Sequence, residues 1–175
     1  MSAKNNRLIT RIPAVEVFPV VEYATLPAKA TEFEAFPVRA TVLREGHDQF
    51  GAEAVLITPE GKEHSRARMY EVAIGLSRFE AWVMPDRPGD WSFRIDTWSD
   101  PWSTWKHDAG VKIAAGVDSE LMCEEGARLI ERAVLGKIIT APRPPRMPKY
   151  RRAKPDAEAA SVLKRAINVL RSADT

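Results

Sequence analysis

Up to about Gly116, the chain arranges apolar and polar residues in short alternating runs that are separated by Pro, Gly and Asp. Runs of this kind are typical of β-strands that bury one face. Turn-forming stretches recur about every 8–12 residues, the spacing found in all-β sandwiches. Two of them, Thr58–Gly61 and Pro85–Asp90, have the composition that tight turns require. The first two thirds of the chain are therefore predicted to form a β-sandwich.

The alternation predicts seven strands. In the clearest of them, the apolar residues Trp91, Phe93 and Ile95 occupy every second position, so they share one face of the strand. The predicted strands are Ala14–Val21, Ala35–Arg44, Ala52–Thr58, Arg66–Ala73, Phe79–Met84, Trp91–Ser99 and Lys106–Ile113.

After Gly116 the apolar residues recur at spacings of three and four, which predicts amphipathic helices. The first runs from about Asp118 to Leu135, and Asp118 or Ser119 caps its start. Its apolar stripe contains Met122, Gly126, Leu129, Ile130, Ala133 and Val134. The second runs from about Asp156 to Ser172, with Val162, Leu163, Ala166, Ile167 and Leu170 on its stripe.

Five prolines between residues 141 and 155 separate these helices and predict a linker or exposed loop. The sequence thus predicts a β-sandwich at residues 1–116 and a helical segment at residues 117–175. Each amphipathic helix needs a surface on which to bury its stripe, so the helical segment is expected to be an incomplete bundle.

The charge is unevenly distributed. The net charge is +2 for 175 residues, and the excess of cations lies in the helical segment. Lys137–Lys154 holds seven Lys and Arg and no acid. Such a stretch suits phosphate binding, but only Tyr150 offers a ring for stacking there. The interpretation we favour is a solvated basic loop, and no nucleic-acid partner is expected.

The cellular location is predicted to be the cytoplasm. No run without Asp, Glu, Lys or Arg exceeds six residues, whereas a membrane-spanning helix needs about 20 apolar residues. The N-terminus reaches Arg11 and Glu16 before any apolar stretch of the length a secretion signal requires. The single cysteine, Cys123, fits a reducing compartment.

The sequence carries none of the common catalytic templates. G-x-S-x-G, G-x-x-x-x-G-K-[ST] and G-x-G-x-x-G are all absent. His47, His64 and His107 are 17 and 43 residues apart, so they form no short metal-binding motif. The acidic residues are scattered among turns and polar faces. We therefore predict no catalytic residue, no cofactor and no metal site in this chain.

A cluster of three tryptophans in eight residues, Trp98, Trp102 and Trp105, supplies the candidate contact residues. Exposed rings of this kind stack on sugars, and a stand-alone carbohydrate-binding module would use Trp102 and Trp105 as a platform. Alternatively, these residues bury large apolar areas in the core or at an interface. We favour burial in the core or at an interface and keep the sugar platform as the alternative.

Four blocks in the same order resemble the N-terminal region of the α-1,4-glucan:maltose-1-phosphate maltosyltransferases. They are Arg11–Val21, Phe36–Asp48, Trp98–His107 and Glu120–Ala133. The resemblance covers about residues 11–135. It implies an immunoglobulin-like β-sandwich of about seven strands followed by two α-helices that begin a helical insertion.

The resemblance also implies a function. Enzymes of this family transfer maltosyl units from maltose 1-phosphate to the non-reducing ends of α-1,4-glucans, in bacterial synthesis of glycogen-like polymer. The N-terminal region takes part in a homodimer, while a downstream α-amylase-type barrel supplies the catalytic Asp and Glu. The chain is expected to end before that barrel, to be inactive alone and to serve as an assembly module that contacts the barrel, a second copy or α-glucan.

Overall fold

A computed structural model describes residues 11–135 and 157–172. The chain divides after Asp100 into two compact units, one built of strands and one of helices. The predicted basic loop at Lys137–Lys154 lies outside the described residues. Within the described part of the chain, no helix has the length and apolar character needed to cross a membrane.

The first unit contains seven strands in two antiparallel sheets, which confirms the predicted β-sandwich. The four-stranded sheet has the order β1-β2-β6-β5, and the three-stranded sheet has the order β4-β3-β7. The strands are β1 (Ala14–Phe18), β2 (Phe36–Val42), β3 (Phe50–Ile57), β4 (Glu63–Arg68), β5 (Tyr70–Ala73), β6 (Arg78–Val83) and β7 (Ser92–Ser99).

Both sheets contribute to one apolar core. Alternate residues of β2 and β3 form its centre and are almost fully buried: Val38, Ala40, Val42, Ala52, Ala54 and Leu56. Trp91, Phe93 and Ile95 pack against this core, as their alternation predicts. The intervening residues of each strand therefore lie on the outer face of their sheet.

Two strand predictions need correction. Lys106–Ile113 is wrong, because this segment belongs to helix α1 (Pro101–Ala114). Val111 and Ile113, which suggested a strand, are exposed residues of that helix, whereas Ala109 is buried. The predicted strand Arg66–Ala73 is two strands, β4 and β5, which belong to different sheets and are separated by the buried Met69.

The second unit consists of α1, α2 (Ser119–Leu135) and α3 (Ala157–Ser172), and the last two are the predicted helices. Ala127, Ile130 and Ile167 form the buried centre between α2 and α3. Val134, Leu163, Ala166 and Leu170 of the predicted stripes pack around it. Ala133 and Val162 are exposed, which corrects their places on the α2 and α3 stripes.

Ion pairs also join α2 to α3. The Arg171 guanidinium donates hydrogen bonds to Glu124 at 3.0 Å and to Glu131 at 2.7 Å. The bonds from Arg171 and then Arg128 hold the pKa of Glu124 below its ordinary value. Arg171 lies in the last turn of α3, where a cation also favours the helix dipole.

Candidate functional site

The three tryptophans predicted as contact residues are divided between the two units of the molecule: one lies in the strand unit and two lie in the helical unit. Trp98 is in β7, on the face opposite to Phe93 and Ile95. Trp102 and Trp105 are one turn apart at the start of α1. The sequence cluster is therefore divided between a strand and a helix, and each part has its own surroundings.

The indole ring of Trp98 packs against Gly51, the residue directly opposite it in β3. A Cβ atom on Gly51 would be only 2.4 Å from the indole ring, so the ring uses the space that glycine leaves. The Arg68 guanidinium carbon lies over the same ring, 4.9 Å from its centre. Trp98 is thus half-buried between a glycine and a cation of its own sheet.

Trp105 joins α1 to α2. Its Nε1 donates a hydrogen bond of 2.7 Å to the backbone oxygen of Met122, and its ring lies against Gly126. A Cβ atom on Gly126 would be 2.2 Å from that ring. Trp102 lies beside Trp105 with 4.8 Å between ring centres, and it is exposed. A carbohydrate or interface role for these residues stays a prediction, and the observed role of Trp105 is in helix packing.

The outer face of the three-stranded sheet is covered by its own charged side chains. Arg66 and Arg94 stand on either side of Val55, which is fully buried beneath them. Their guanidinium groups form ion pairs with three acids of the same face, namely Glu53, Glu63 and Asp96. This face offers a ligand few unpaired groups.

The ion pairs of this face also shift pKa values. Hydrogen bonds from Arg94 and then Arg66 lower the pKa of Glu63. The hydrogen bonds that Arg94 donates to Asp96 and then to Glu63 raise the pKa of Arg94 itself. Both shifts favour the charged forms, so the network persists over the physiological pH range.

The outer face of the four-stranded sheet carries exposed rings instead. Tyr70 in β5, Trp82 in β6 and Phe18 in β1 are 69%, 56% and 44% exposed. Between them lies an ion pair in which Arg39 Nε donates to Glu80 Oε2. Phe18 faces Arg39 across one strand pair, and Tyr70 faces Glu80 across another.

Our sequence analysis missed this surface. The signal is present in β6, where Arg78, Glu80 and Trp82 alternate with the core residues Phe79, Ala81 and Val83. That alternation places Trp82 on the outer face of the sheet. A single tryptophan among charged residues is nevertheless less conspicuous than three tryptophans within eight residues.

A groove of about 1190 Å³ borders the same surface. Phe18, Pro37 and Arg39 form part of its wall, together with the segment that follows β1 and the turn before β7. Phe18 thus belongs both to the exposed rings and to the wall of this groove. Among the described residues, no group of three or more His, Cys, Asp or Glu is arranged to hold a metal ion.

Comparison with known proteins matches almost the whole chain to one family. The family profile described as α-1,4-glucan:maltose-1-phosphate maltosyltransferase, domain N/S, covers residues 10–173. The α-1,4-glucan:maltose-1-phosphate maltosyltransferase 2 of Streptomyces coelicolor is 49% identical over 128 residues, which are 73% of this chain and 19% of that protein.

Two further relatives carry the same printed function. Maltosyltransferase 1 of S. coelicolor is 47% identical over 75% of this chain and 20% of its own length. The Mycobacterium tuberculosis maltosyltransferase is 33% identical over 72% of this chain and 22% of its own length. The chain thus spans about a fifth of the length of the curated relatives that it matches.

Proposed function

The chain belongs to the α-1,4-glucan:maltose-1-phosphate maltosyltransferase family, as its domain N/S, and from this premise we propose that it is the N-terminal assembly module of such an enzyme. In the complete enzyme, a catalytic α-amylase-type barrel accompanies the module and transfers maltosyl units to α-1,4-glucan ends. The relatives extend far beyond the matched region. We accordingly expect no maltosyl transfer from these 175 residues alone.

Exposed apolar side chains on the helical unit are the observation that carries this proposal. Each helix described in this unit bears such residues, namely Val111, Ile113, Leu121, Val162 and Val169. Aliphatic side chains in these numbers are stabilised when a protein surface removes them from water. We assign them to contacts with the catalytic part or with a second copy, in a homodimer that fixes two catalytic parts relative to each other.

The same family membership supports a role in bacterial synthesis of glycogen-like α-glucan. The relatives are bacterial proteins, and their names specify maltose 1-phosphate and α-1,4-glucan. The free thiol of Cys123 is compatible with the reducing cytoplasm that we propose as the location.

A chimera tests the assembly role. This chain replaces the matched N-terminal region of S. coelicolor maltosyltransferase 2, to which it is 49% identical. Phosphate release from maltose 1-phosphate is measured with a maltooligosaccharide acceptor, and the molecular mass is measured by sedimentation. We expect an active dimer from the chimera and no phosphate release from the 175-residue chain.

A second chimera, with Leu121→Ser and Val169→Ser, tests whether these exposed residues make the proposed contacts. Both residues are exposed, so the helices should fold while the proposed contacts weaken. Loss of the dimer in this second chimera supports the assignment of these side chains to the contact between two copies. Phosphate release by the chain alone would overturn the proposal, as would a first chimera that is folded but no more active than an enzyme without the region.

A further inference from the structure

The outer face of the four-stranded sheet places aromatic and hydrogen-bonding side chains in alternation. The order across the four strands is Phe18, Arg39, Glu80 and Tyr70, because each faces the next across an antiparallel strand pair. Trp82 lies in the neighbouring row, opposite Pro37. Residues that face each other in this way point to the same side of the sheet.

The polar groups of this face hold the indole in place. Trp82 Nε1 donates a hydrogen bond of 2.8 Å to Glu80 Oε1, and Arg39 binds the other oxygen of that carboxylate. The hydrogen bond from Arg39, followed by that from Trp82, lowers the pKa of Glu80, so the carboxylate is charged at neutral pH. A ring that is already oriented loses less conformational freedom when a ligand binds.

We propose that this face, formed by Phe18, Arg39, Tyr70, Glu80 and Trp82, binds a chain of α-1,4-linked glucose. Each pyranose ring has a face of C–H groups that stacks on an aromatic ring and an edge of hydroxyl groups. The choice of glucan rests on the proposed function. The site itself would retain polymer near the enzyme.

The charges on this face suit a neutral, polyhydroxylated ligand. Arg39 and Glu80 neutralise each other, so the face attracts neither anions nor cations strongly. A guanidinium has five N–H donors and a carboxylate about four lone-pair positions, and the observed bonds leave several of them for hydroxyl groups. The groove bordered by Phe18, Pro37 and Arg39 gives an extended chain room to continue.

A dry protein interface fits this face less well. It would cover the Arg39–Glu80 pair and remove both charges from water, which is unfavourable unless new bonds replace the lost hydration. The aliphatic residues that suit a protein partner, Ile74 and Leu76, lie together on the turn between β5 and β6. The rings around the ion pair are therefore assigned to sugar.

Binding is tested with the whole 175-residue chain and maltoheptaose, followed by tryptophan fluorescence and by titration calorimetry. We expect saturable binding that Trp82→Ala weakens by about five-fold or more, the effect of losing one aromatic stacking partner. Trp82→Phe keeps a ring and should retain most of the affinity. Ile74→Ala is the control, because Ile74 is a 96% exposed apolar residue in the turn between β5 and β6, outside the proposed site.

Each remaining outcome overturns the glucan site. No binding by the wild-type chain, or equal binding by a folded Trp82→Ala variant and wild type, would exclude it. If Trp82→Ala instead converts a glucan-free dimer to monomers, the face pairs two copies of the chain. The test is independent of the chimera, whose activity on a short acceptor reports only on the assembly role.

Discussion

The outer faces of the two sheets differ in whether their own side chains cover them. On the three-stranded sheet, Arg66 and Arg94 stand on either side of Val55 and form ion pairs with the acids Glu53, Glu63 and Asp96. On the four-stranded sheet, one ion pair, Arg39–Glu80, stands among exposed rings. We call these the covered face and the open face.

The comparison shows how a sheet can shield the apolar residues of its outer face from water when no further layer of structure covers it. The covered face has a long cation on each side of its central aliphatic residue, so methylene groups exclude water while the charged ends remain solvated. The open face places rings at the corresponding positions, and rings of this size leave apolar area in contact with water. The covered face thus contributes to stability and the open face is available for binding.

Of the single substitutions proposed for the two faces, Gly51→Val should lower the free energy of unfolding the most, because the covered face has no space for a side chain at that position. A Cβ atom there would already be 2.4 Å from the Trp98 ring, so the ring and Arg68 must move. We expect the free energy of unfolding to fall by about 2–3 kcal/mol, as for other overpacked sites. Urea denaturation of the variant measures this change.

The double variant Gly51→Val with Trp98→Ala checks the cause. If the ring is the obstacle, the double variant loses less stability than the sum of the two single variants. Strict additivity would show that the loss at Gly51 has another origin.

The same substitution made once in each sheet, at a buried and at an exposed position, comes next. Val55 is fully buried on the covered face, whereas Val72 in β5 is 54% exposed. Val55→Ala should lower the free energy of unfolding by about 2 kcal/mol, through lost burial and the cavity left behind. Val72→Ala should change it by about 0.5 kcal/mol or less. Equal losses in parallel denaturation curves would contradict the burial of Val55 beneath Arg66 and Arg94.

A smaller effect is expected from removing one cation of each face. Arg66→Met should lower the free energy of unfolding by about 1 kcal/mol, because Arg66 pairs with three acids. Arg39→Met removes one pair and should cost about half as much. Both losses should shrink at about 1 M salt, where charges are screened within about 3 Å. Salt-independent losses would point to packing of the side-chain stems instead.

The sequence predicts the sandwich well where a strand faces the core. Phe93 and Ile95 are recognised because burial of one face imposes a period of two on the residues. The same rule fails at Lys106–Ile113, where Val111 and Ile113 alternate without facing a core. The helix there starts with Pro101, whose fixed φ and missing N–H suit a first helical turn.

The candidate site is harder to predict, since it depends on which face of which sheet lacks a cover. Alternation in β6 indicates that Trp82 points outward, but it does not reveal that Tyr70, Glu80 and Arg39 come from strands paired in the order β2-β6-β5. Conversely, the conspicuous Trp105 is used to pack α1 on α2. Pairing between distant strands, rather than the composition of any one segment, creates the open face.

Acid should destabilise both faces, and the covered face should be more sensitive. Hydrogen bonds from Arg94 and then Arg66 lower the pKa of Glu63 from its ordinary value of 4.5, and those from Arg39 and then Trp82 do the same for Glu80. A carboxyl group with a lowered pKa in the folded state stabilises the protein above its ordinary pKa. This stabilisation is lost as the pH falls through the folded-state value, because the unfolded chain then binds the proton first.

Glu63→Gln and Glu80→Gln each remove one such group, so the free energy of unfolding should vary less with pH in both variants. Two arginines bind Glu63, whereas one arginine and an indole bind Glu80. Glu63→Gln should therefore remove the larger part of the dependence. Urea denaturation at a series of pH values from about 5 downward measures it, and a larger effect of Glu80→Gln would mean that the open face holds the stronger electrostatic contact.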